Sequence, residues 1–405
     1  MRIALYHSVP LGGAKRIIFD QVKRLNTEHE ITLYSLNNLE NQFCDLRPIV
    51  KESFFFPFIP TGLFQSPFGR INQAIRSYDL YRLKNLSKII ANHINRIKYD
   101  VAYVHPCQFT GTPWLLQFLN VPSVNYCQEY NRFLHEKIQS RPYFYTSSWK
   151  YFLDDIDIFS RYYRFNLRSI ERNGLKHANC ILVNSQFIRQ EIDRLYKLNA
   201  SVCYLGIDSD LFTNLRQKKH NIVLSVGMLT PSKGFDFIIE GLSHIPDHHR
   251  PTLLIVSARQ QPDERNYLVQ LANTHKVRLR ILSTVDNTTL VKIYNQAKLT
   301  IYTPYREPFG LVPLESMACG TPVIGIDEGG IKETIQDGIT GRLVSRDPTE
   351  LASKTLELIL QPELISNMGR AGRDYILQEW TWDKRIKLLE YYLDKAANEK
   401  AKTWN

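Results

Sequence analysis

Short unbroken apolar runs alternate along the chain with longer stretches of helical spacing. The runs Ile3–His7, Ile31–Ser35, Val101–His105, Val121–Tyr126 and Cys180–Asn184 predict buried strands. Ala14–Leu25, Tyr81–Ile97 and Arg161–Lys176 carry the helical pattern between them. The order restarts with a strand at Ile222–Val226 and a helix after Gly234, then strands at Thr252–Val256, Leu279–Leu282, Leu299–Tyr302 and Pro322–Gly325. Strands separated by helices predict an α/β fold of two doubly wound domains with parallel sheets, and ligands at the strands' carboxyl ends. At 405 residues the chain is too long for one ordinary core. Polar Arg216–His220 reads as the linker, dividing a first domain (1–215) from a second domain (216–381). A last helix, Trp382–Lys395 within 382–405, is apolar at Ile386, Leu389, Tyr392 and Leu393 and is expected to cross back onto the first domain.

Composition narrows the class. Apolar content of 43% and charge of 22% suit a globular protein. No apolar run approaches the roughly 20 residues a bilayer span needs. Met1–Tyr6 reads as a first strand and not as a signal peptide, and six cysteines without C-x-x-C spacing point to reduced thiols in a cytoplasm and away from zinc. The net charge is +11 and uneven: 26 basic against 18 acidic residues up to Leu215, 25 against 22 beyond. A basic first half favours an anionic partner, such as a lipid phosphate or membrane surface. Nucleic acid is not expected, because lysine and arginine are dispersed and no base-reading module is present. Phe54–Phe56, Phe58, Phe64 and Phe68, with the aromatic and basic stretch Tyr130–Arg172, suit either a peripheral face on the inner side of a membrane or core packing beneath a long loop. Asp155-Ile156-Asp157 is formally D-x-D but follows no buried strand, and His248-His249 reads as a solvated turn, so no metal ligand is assigned.

The chemistry concentrates between Arg306 and Gly325, where Glu307 and Glu315 stand eight positions apart around the start of a short helix. Phe309-Gly310 makes a tight turn, Pro313 fits a first helical turn, and Gly320 stops the helix. Amides near Gly310 and Leu311 would form an anion site strengthened by the helix dipole. Anion-binding amides beside two hydroxyl-chelating carboxylates suit a nucleotide-sugar. The spacing alone also fits a surface helix with two solvated glutamates; the surrounding motifs favour the site.

These motifs make the chain similar to the glycosyltransferases of the GT-B fold, family 4. The resemblance is strongest over Ile222–Leu343 and clear over Ala178–Phe212. It implies two Rossmann-like domains facing across a cleft, transfer with retention of configuration, and no cofactor or metal. On this resemblance Glu315 grips the donor ribose and Glu307 contacts the donor sugar. The Phe309-Gly310-Leu311 amides meet the diphosphate and sugar, Lys233 neutralises the diphosphate, and Val285 in the Leu282–Asp286 loop faces the base. Gly12-Gly13 matches the first strand-to-helix turn, while Gly206-Ile207-Asp208 and Glu328-Gly329-Gly330 read as mainly structural.

Two departures from the family pattern matter. Met228 stands where the family usually has an arginine that pairs with Lys233; Lys15 or Arg16 is the candidate replacement cation. Gln128 stands where many relatives have a histidine near the donor sugar, so a hydrogen-bonding role survives and a protonated-histidine role does not. No further carboxylate pair stands out for double displacement, which leaves acceptor attack on the leaving group's own face with Lys233 and the helix amides stabilising charge. The expected activity is hexosyl transfer from a UDP- or GDP-sugar donor to a glycan or lipid-linked acceptor. The alternatives are a non-catalytic nucleotide-sugar binder and a nucleotide-sugar epimerase.

Overall fold

The computed structural model describes the chain apart from residues 11, 37–43, 65–70, 137–138, 144–156, 259–260 and 400–405. The chain forms two compact units, one of Met1–Lys137, Tyr145–Tyr204 and Arg385–Asn405, the other of Ile138–Phe144 and Leu205–Lys384.

In the first unit β1 (Arg2–Ser8), β2 (Glu30–Leu36), β3 (Glu52–Phe56), β4 (Val101–Cys107), β5 (Ser123–Cys127), β6 (Cys180–Val183) and β7 (Ser201–Val202) make one parallel sheet, ordered β3-β2-β1-β4-β5-β6-β7. The central strands are buried almost throughout, which is why they appear in the sequence as continuous apolar runs. Helices α1 (Gly13–Leu25), α2 (Asn72–Arg96), α3 (Arg132–His135), α4 (Ile158–His177) and α5 (Gln186–Tyr196) connect them. Helix α2 starts well before Tyr81; Asn72–Ser77 holds only Ala74 and Ile75 as apolar residues, too few to announce a helix in the sequence.

Strand β3 corrects the aromatic-loop expectation. Phe54 and Phe56 stack on Tyr34 at 5.3 and 6.4 Å between ring centroids, and Phe58 is buried. Three successive phenylalanines show no alternation, so the strand was hidden in the sequence. Phe54 and Phe56 are half-buried against the core cluster that includes Phe58, which fits the core-packing reading of this stretch. Phe64 is exposed, and Phe68 lies outside the described residues. Asp155 and Ile156 of the D-x-D also lie outside them, while Asp157 caps α4 by accepting from the Phe159 amide at 3.1 Å.

The second unit repeats the plan: β8 (His220–Val226), α6 (Phe235–Ser243), β9 (Thr252–Ser257), α7 (Pro262–Thr274), β10 (Leu279–Ser283), α8 (Asn287–Gln296), β11 (Ala297–Tyr302), α9 (Leu311–Ala318), β12 (Val323–Ile326), β13 (Gly341–Val344), α10 (Pro348–Leu360) and α11 (Pro362–Tyr375). Its parallel sheet is ordered β10-β9-β8-β11-β12-β13. Strand order reverses between β8 and β11, as it does between β1 and β4 in the first unit. Such a switch point opens a crevice at the strands' carboxyl ends. The expected linker is irregular to Lys219 and enters β8 at His220. Lys219 is not a solvated linker residue: its ammonium donates to Thr321 Oγ1, and burial lowers its pKa to about 8.

The last helix, α12 (Trp382–Ala397), starts in the second unit and from Arg385 belongs to the first. Leu389 and Leu393 are buried, and Glu390 lies 3.5 Å from His29. All six cysteines are free thiols.

Arg250 ties the back of α6 to the sheet. Its guanidinium donates to the carbonyls of Leu242, Ser243, Ile245 and Lys276 at 2.7–3.0 Å. These include the carbonyls of Leu242 and Ser243, the last two of α6, which have no helical partner of their own. Arg250→Met strands them in a buried setting and is expected to lower unfolding free energy by about 3 kcal/mol, read as a reduced urea midpoint at unchanged m-value.

Candidate functional site

In the second unit the candidate residues converge on the β8/β11 switch point. The turn Thr230–Gly234 leaves β8, closed by the Lys233 amide on the Thr230 carbonyl at 3.0 Å. Gly234 has φ 68°, and a Cβ there would lie 2.4 Å from the Thr303 carbonyl oxygen, so only glycine lets the turn press against the end of β11. Lys233 Nζ consequently sits 3.1 and 3.0 Å from Glu307 Oε1 and Oε2. Tyr302, the last residue of β11, donates its hydroxyl to Glu307 Oε1 at 2.8 Å.

The loop bearing Glu307 is fixed from behind by Gly329-Gly330. The Gly330 amide donates to the Glu307 carbonyl at 2.8 Å, and Cβ atoms on Gly329 and Gly330 would fall 2.4 and 2.3 Å from the carbonyl oxygens of Glu307 and Pro308. Glu328 is held outside by Arg346, with both bonds at 2.8 Å.

Helix α9 opens after Gly310 (φ 113°) with no side chain capping its first turn. Phe309 is buried beside Trp380, and Leu311 is half-buried. Glu315 lies one turn inside the helix, 5% exposed, accepting from the Tyr294 hydroxyl at 2.8 Å. Burial, then the charge of Glu315, push the Tyr294 pKa far up, which keeps that hydroxyl a donor. Val285 is half-buried at the carboxyl end of β10, two strands from β8, and Met228 is exposed in the loop after β8. Lys233 and Glu307 thus form one pair, while Glu315 is held separately by Tyr294. An uncapped helix tip beside an ammonium offers donors to an anion, and the carboxylates offer acceptors to hydroxyls.

The remaining candidates lie in the first unit. Gly12 precedes α1 after β1 and Gly13 is its first residue; Lys15 is buried and Arg16 half-buried on that helix. Gln128 follows β5, nearly enclosed, with Nε2 3.5 Å from His105 Nδ1 and its carbonyl accepting from Asn184 at 2.8 Å. Burial, then the neighbouring His7, lower the His105 pKa well below the ordinary value, so a neutral imidazole stands beside Gln128.

Tyr302, Tyr294 and His105 were not singled out in the sequence. The one available signal was that Tyr302 ends a strand next to a motif loop. Among the described residues no group of three or more His, Cys, Asp or Glu side chains is arranged to hold a metal ion.

Two parallel sheets with this strand order, and a carboxylate-rich site at the switch point of the second, define the GT-B class of fold. Residues 207–375 match the family described as glycosyl transferases group 1. The match over this part of the chain, with the relatives below, supports a GT-B glycosyltransferase of the family 4 type. It is similar to an uncharacterized glycosyltransferase of Methanocaldococcus jannaschii, 28% identical over 52% of this chain and 58% of that one. It is also similar to human alpha-1,3/1,6-mannosyltransferase ALG2, 25% identical over 58% of this chain and 63% of that one. The chain therefore spans about three fifths of the length of these curated relatives. Among solved structures, Anabaena HepE in complex with UDP-glucose shares the fold with a TM-score of 0.70 at 19% identity, covering 98% of this chain and 100% of that one.

The loop that follows Gln128 rests on a buried acid. Glu171 on α4 accepts from the Asn131 amide at 2.9 Å, with His135 Nε2 3.9 Å away, and burial raises its pKa to about 7. A carboxyl whose pKa rises on folding stabilises the fold while protonated, and that stability is lost as pH climbs from about 4.5 through about 7. Relative to Glu171→Gln, the unmodified protein should lose about 2–3 kcal/mol of unfolding free energy between pH 5 and pH 8, measured by urea denaturation at both.

Proposed function

We propose that the chain is a retaining, metal-independent glycosyltransferase that moves a hexose from a UDP- or GDP-sugar to a glycan or lipid-linked acceptor. The observation that carries this reading is the Lys233–Glu307 pair, 3.0 Å apart at the sheet's switch point beside the uncapped tip of α9. The glycosyltransferase names of the relatives support it, as does UDP-glucose in the HepE complex.

In this reading the donor diphosphate lies against the α9 tip and the Lys233 ammonium, and Glu315 accepts from the ribose hydroxyls. Glu307, freed in part from Lys233, accepts from hydroxyls of the hexose, and the Leu282–Asp286 loop with Val285 faces the base. The acceptor oxygen attacks the anomeric carbon on the face from which the diphosphate leaves. Its proton passes to the departing phosphate oxygen. No side chain forms a bond to the sugar, so the protein contributes position and charge stabilisation.

A nucleotide-sugar binder without turnover is the second reading, and Met228 favours it. Lys233 is already paired with Glu307, and Met228 adds no charge against a diphosphate.

A lipid acceptor would place the protein on an anionic membrane at its inner, cytoplasmic face, a setting that suits six reduced thiols. Helix α4 supports this. Its exposed side carries Ile158, Tyr162 and Phe165 interleaved with Arg161, Arg168 and Arg172, while its one acidic residue, Glu171, is buried. Apolar and cationic groups sharing one helix side fit a headgroup region.

Two measurements test the proposal. Thermal-shift screening against UDP, GDP and their sugars should raise Tm with one nucleotide class, and Lys233→Ala should lower kcat/KM with the matching donor by about 2–4 kcal/mol of transition-state stabilisation. Binding with neither transfer nor donor hydrolysis would select the second reading. For the membrane, flotation with vesicles of phosphatidylglycerol and phosphatidylcholine should carry the protein, vesicles of phosphatidylcholine alone should not, and Phe165→Ser with Arg168→Ser should abolish it.

A further inference from the structure

The segment Ile138–Phe144 lies in sequence between α3 and α4, both in the first unit, yet it belongs to the second. Its described part seats Arg141 inside that unit with its side chain 4% exposed. The guanidinium is fully used. Nε donates to Glu264 Oε2 at 3.1 Å, Nη1 to Asp236 Oδ2 at 2.8 Å, and Nη2 to Asp236 Oδ1 at 3.1 Å and to the Pro231 carbonyl at 3.2 Å. Its plane lies 5.2 Å from the Tyr267 ring centroid, and the Tyr143 hydroxyl completes Glu264. Glu264 and Asp236 stand in the first turns of α7 and α6, where the helix dipoles favour carboxylates.

The Pro231 contact gives this cluster its consequence, because Pro231 is two residues before Lys233. Three carbonyls of that turn are held from outside it. Pro231 O takes Arg141, Ser232 O takes the Tyr305 amide at 2.9 Å, and Gly234 O takes the Thr303 hydroxyl at 3.2 Å. The last two anchors come from the chain between β11 and Glu307, so they fix Lys233 relative to its partner. Arg141 fixes the same turn relative to α6 and α7. A planar fork can meet two carboxylates and a carbonyl at once, which a lysine's point charge cannot.

We propose that Arg141 is a positioning residue: it sets the Pro231–Gly234 turn so that the Lys233 ammonium is presented to the diphosphate of the donor. The inference rests on the donor-site reading above and adds to it a residue 92 positions away in sequence.

The test is a double-mutant cycle on nucleotide affinity, by calorimetric titration with UDP and with GDP. The proteins are the wild type, Arg141→Gln, Lys233→Ala, the double variant, and Arg141→Lys as the conservative partner. Arg141→Gln is expected to weaken the nucleotide that binds by about tenfold or more, with Arg141→Lys intermediate. In the Lys233→Ala background the same change should cost less than twofold, because the group it positions is gone. A purely structural role would lower Tm and leave the two losses additive. If Arg141→Gln does not fold, Asp236→Asn carries the same cycle, since it removes one carboxylate from the guanidinium and leaves Glu264 paired.

Unchanged affinity in the Arg141 variant, or additive losses, overturns this inference while the donor-site reading stands. Unchanged affinity in Lys233→Ala overturns both.

Discussion

Everything at the site depends on keeping an ammonium and a carboxylate 3.0 Å apart at the ends of two neighbouring parallel strands. Neither strand does this alone. The turn after β8 is brought in by a glycine pressed on the Thr303 carbonyl, and the loop after β11 is pinned by two glycines pressed on Glu307 and Pro308. Backbone against backbone leaves no side chain to compress, so the separation is set by the main chain. The long Lys233 side chain has only to bridge what remains, and a half-enclosed pair is screened less by salt than one in open water.

The two acids of the motif have similar small environments and different neighbours. Each accepts from one tyrosine hydroxyl at 2.8 Å, Glu307 from Tyr302 and Glu315 from Tyr294. Glu307 also faces the Lys233 ammonium. Glu315 is nearly enclosed. The pair of identical residues is therefore differentiated by position relative to one short helix. The acid before its tip has its charge balanced, and the acid inside it accepts a neutral donor.

The central strands and the motif were legible in the sequence because their signals are local. A parallel strand buried on both faces is a continuous apolar run, and a Pro-Phe-Gly turn followed by Pro313 and closed by Gly320 announces a short helix. What escaped depends on partners far away in sequence. Glu52–Phe56 is a strand because Tyr34 and β2 receive it, and nothing within those five residues says so. Asn72–Ser77 joins α2 although it holds only Ala74 and Ile75 as apolar residues. The tyrosines that hold the two acids were unremarkable members of a helix and a strand. Arg141 was invisible for the strongest reason: its two carboxylates lie 95 and 123 residues away.

The seating of Arg141 also limits how such a chain can be taken apart. A fragment cut cleanly at Leu205 would carry Glu264 and Asp236 without the guanidinium that matches them, leaving an enclosed negative charge in an otherwise intact sheet. A chimaera spliced at the same junction would join acids from one parent to a basic segment shaped by another. The second lobe is thus not a cassette: exchange between relatives must move two separate stretches of polypeptide together.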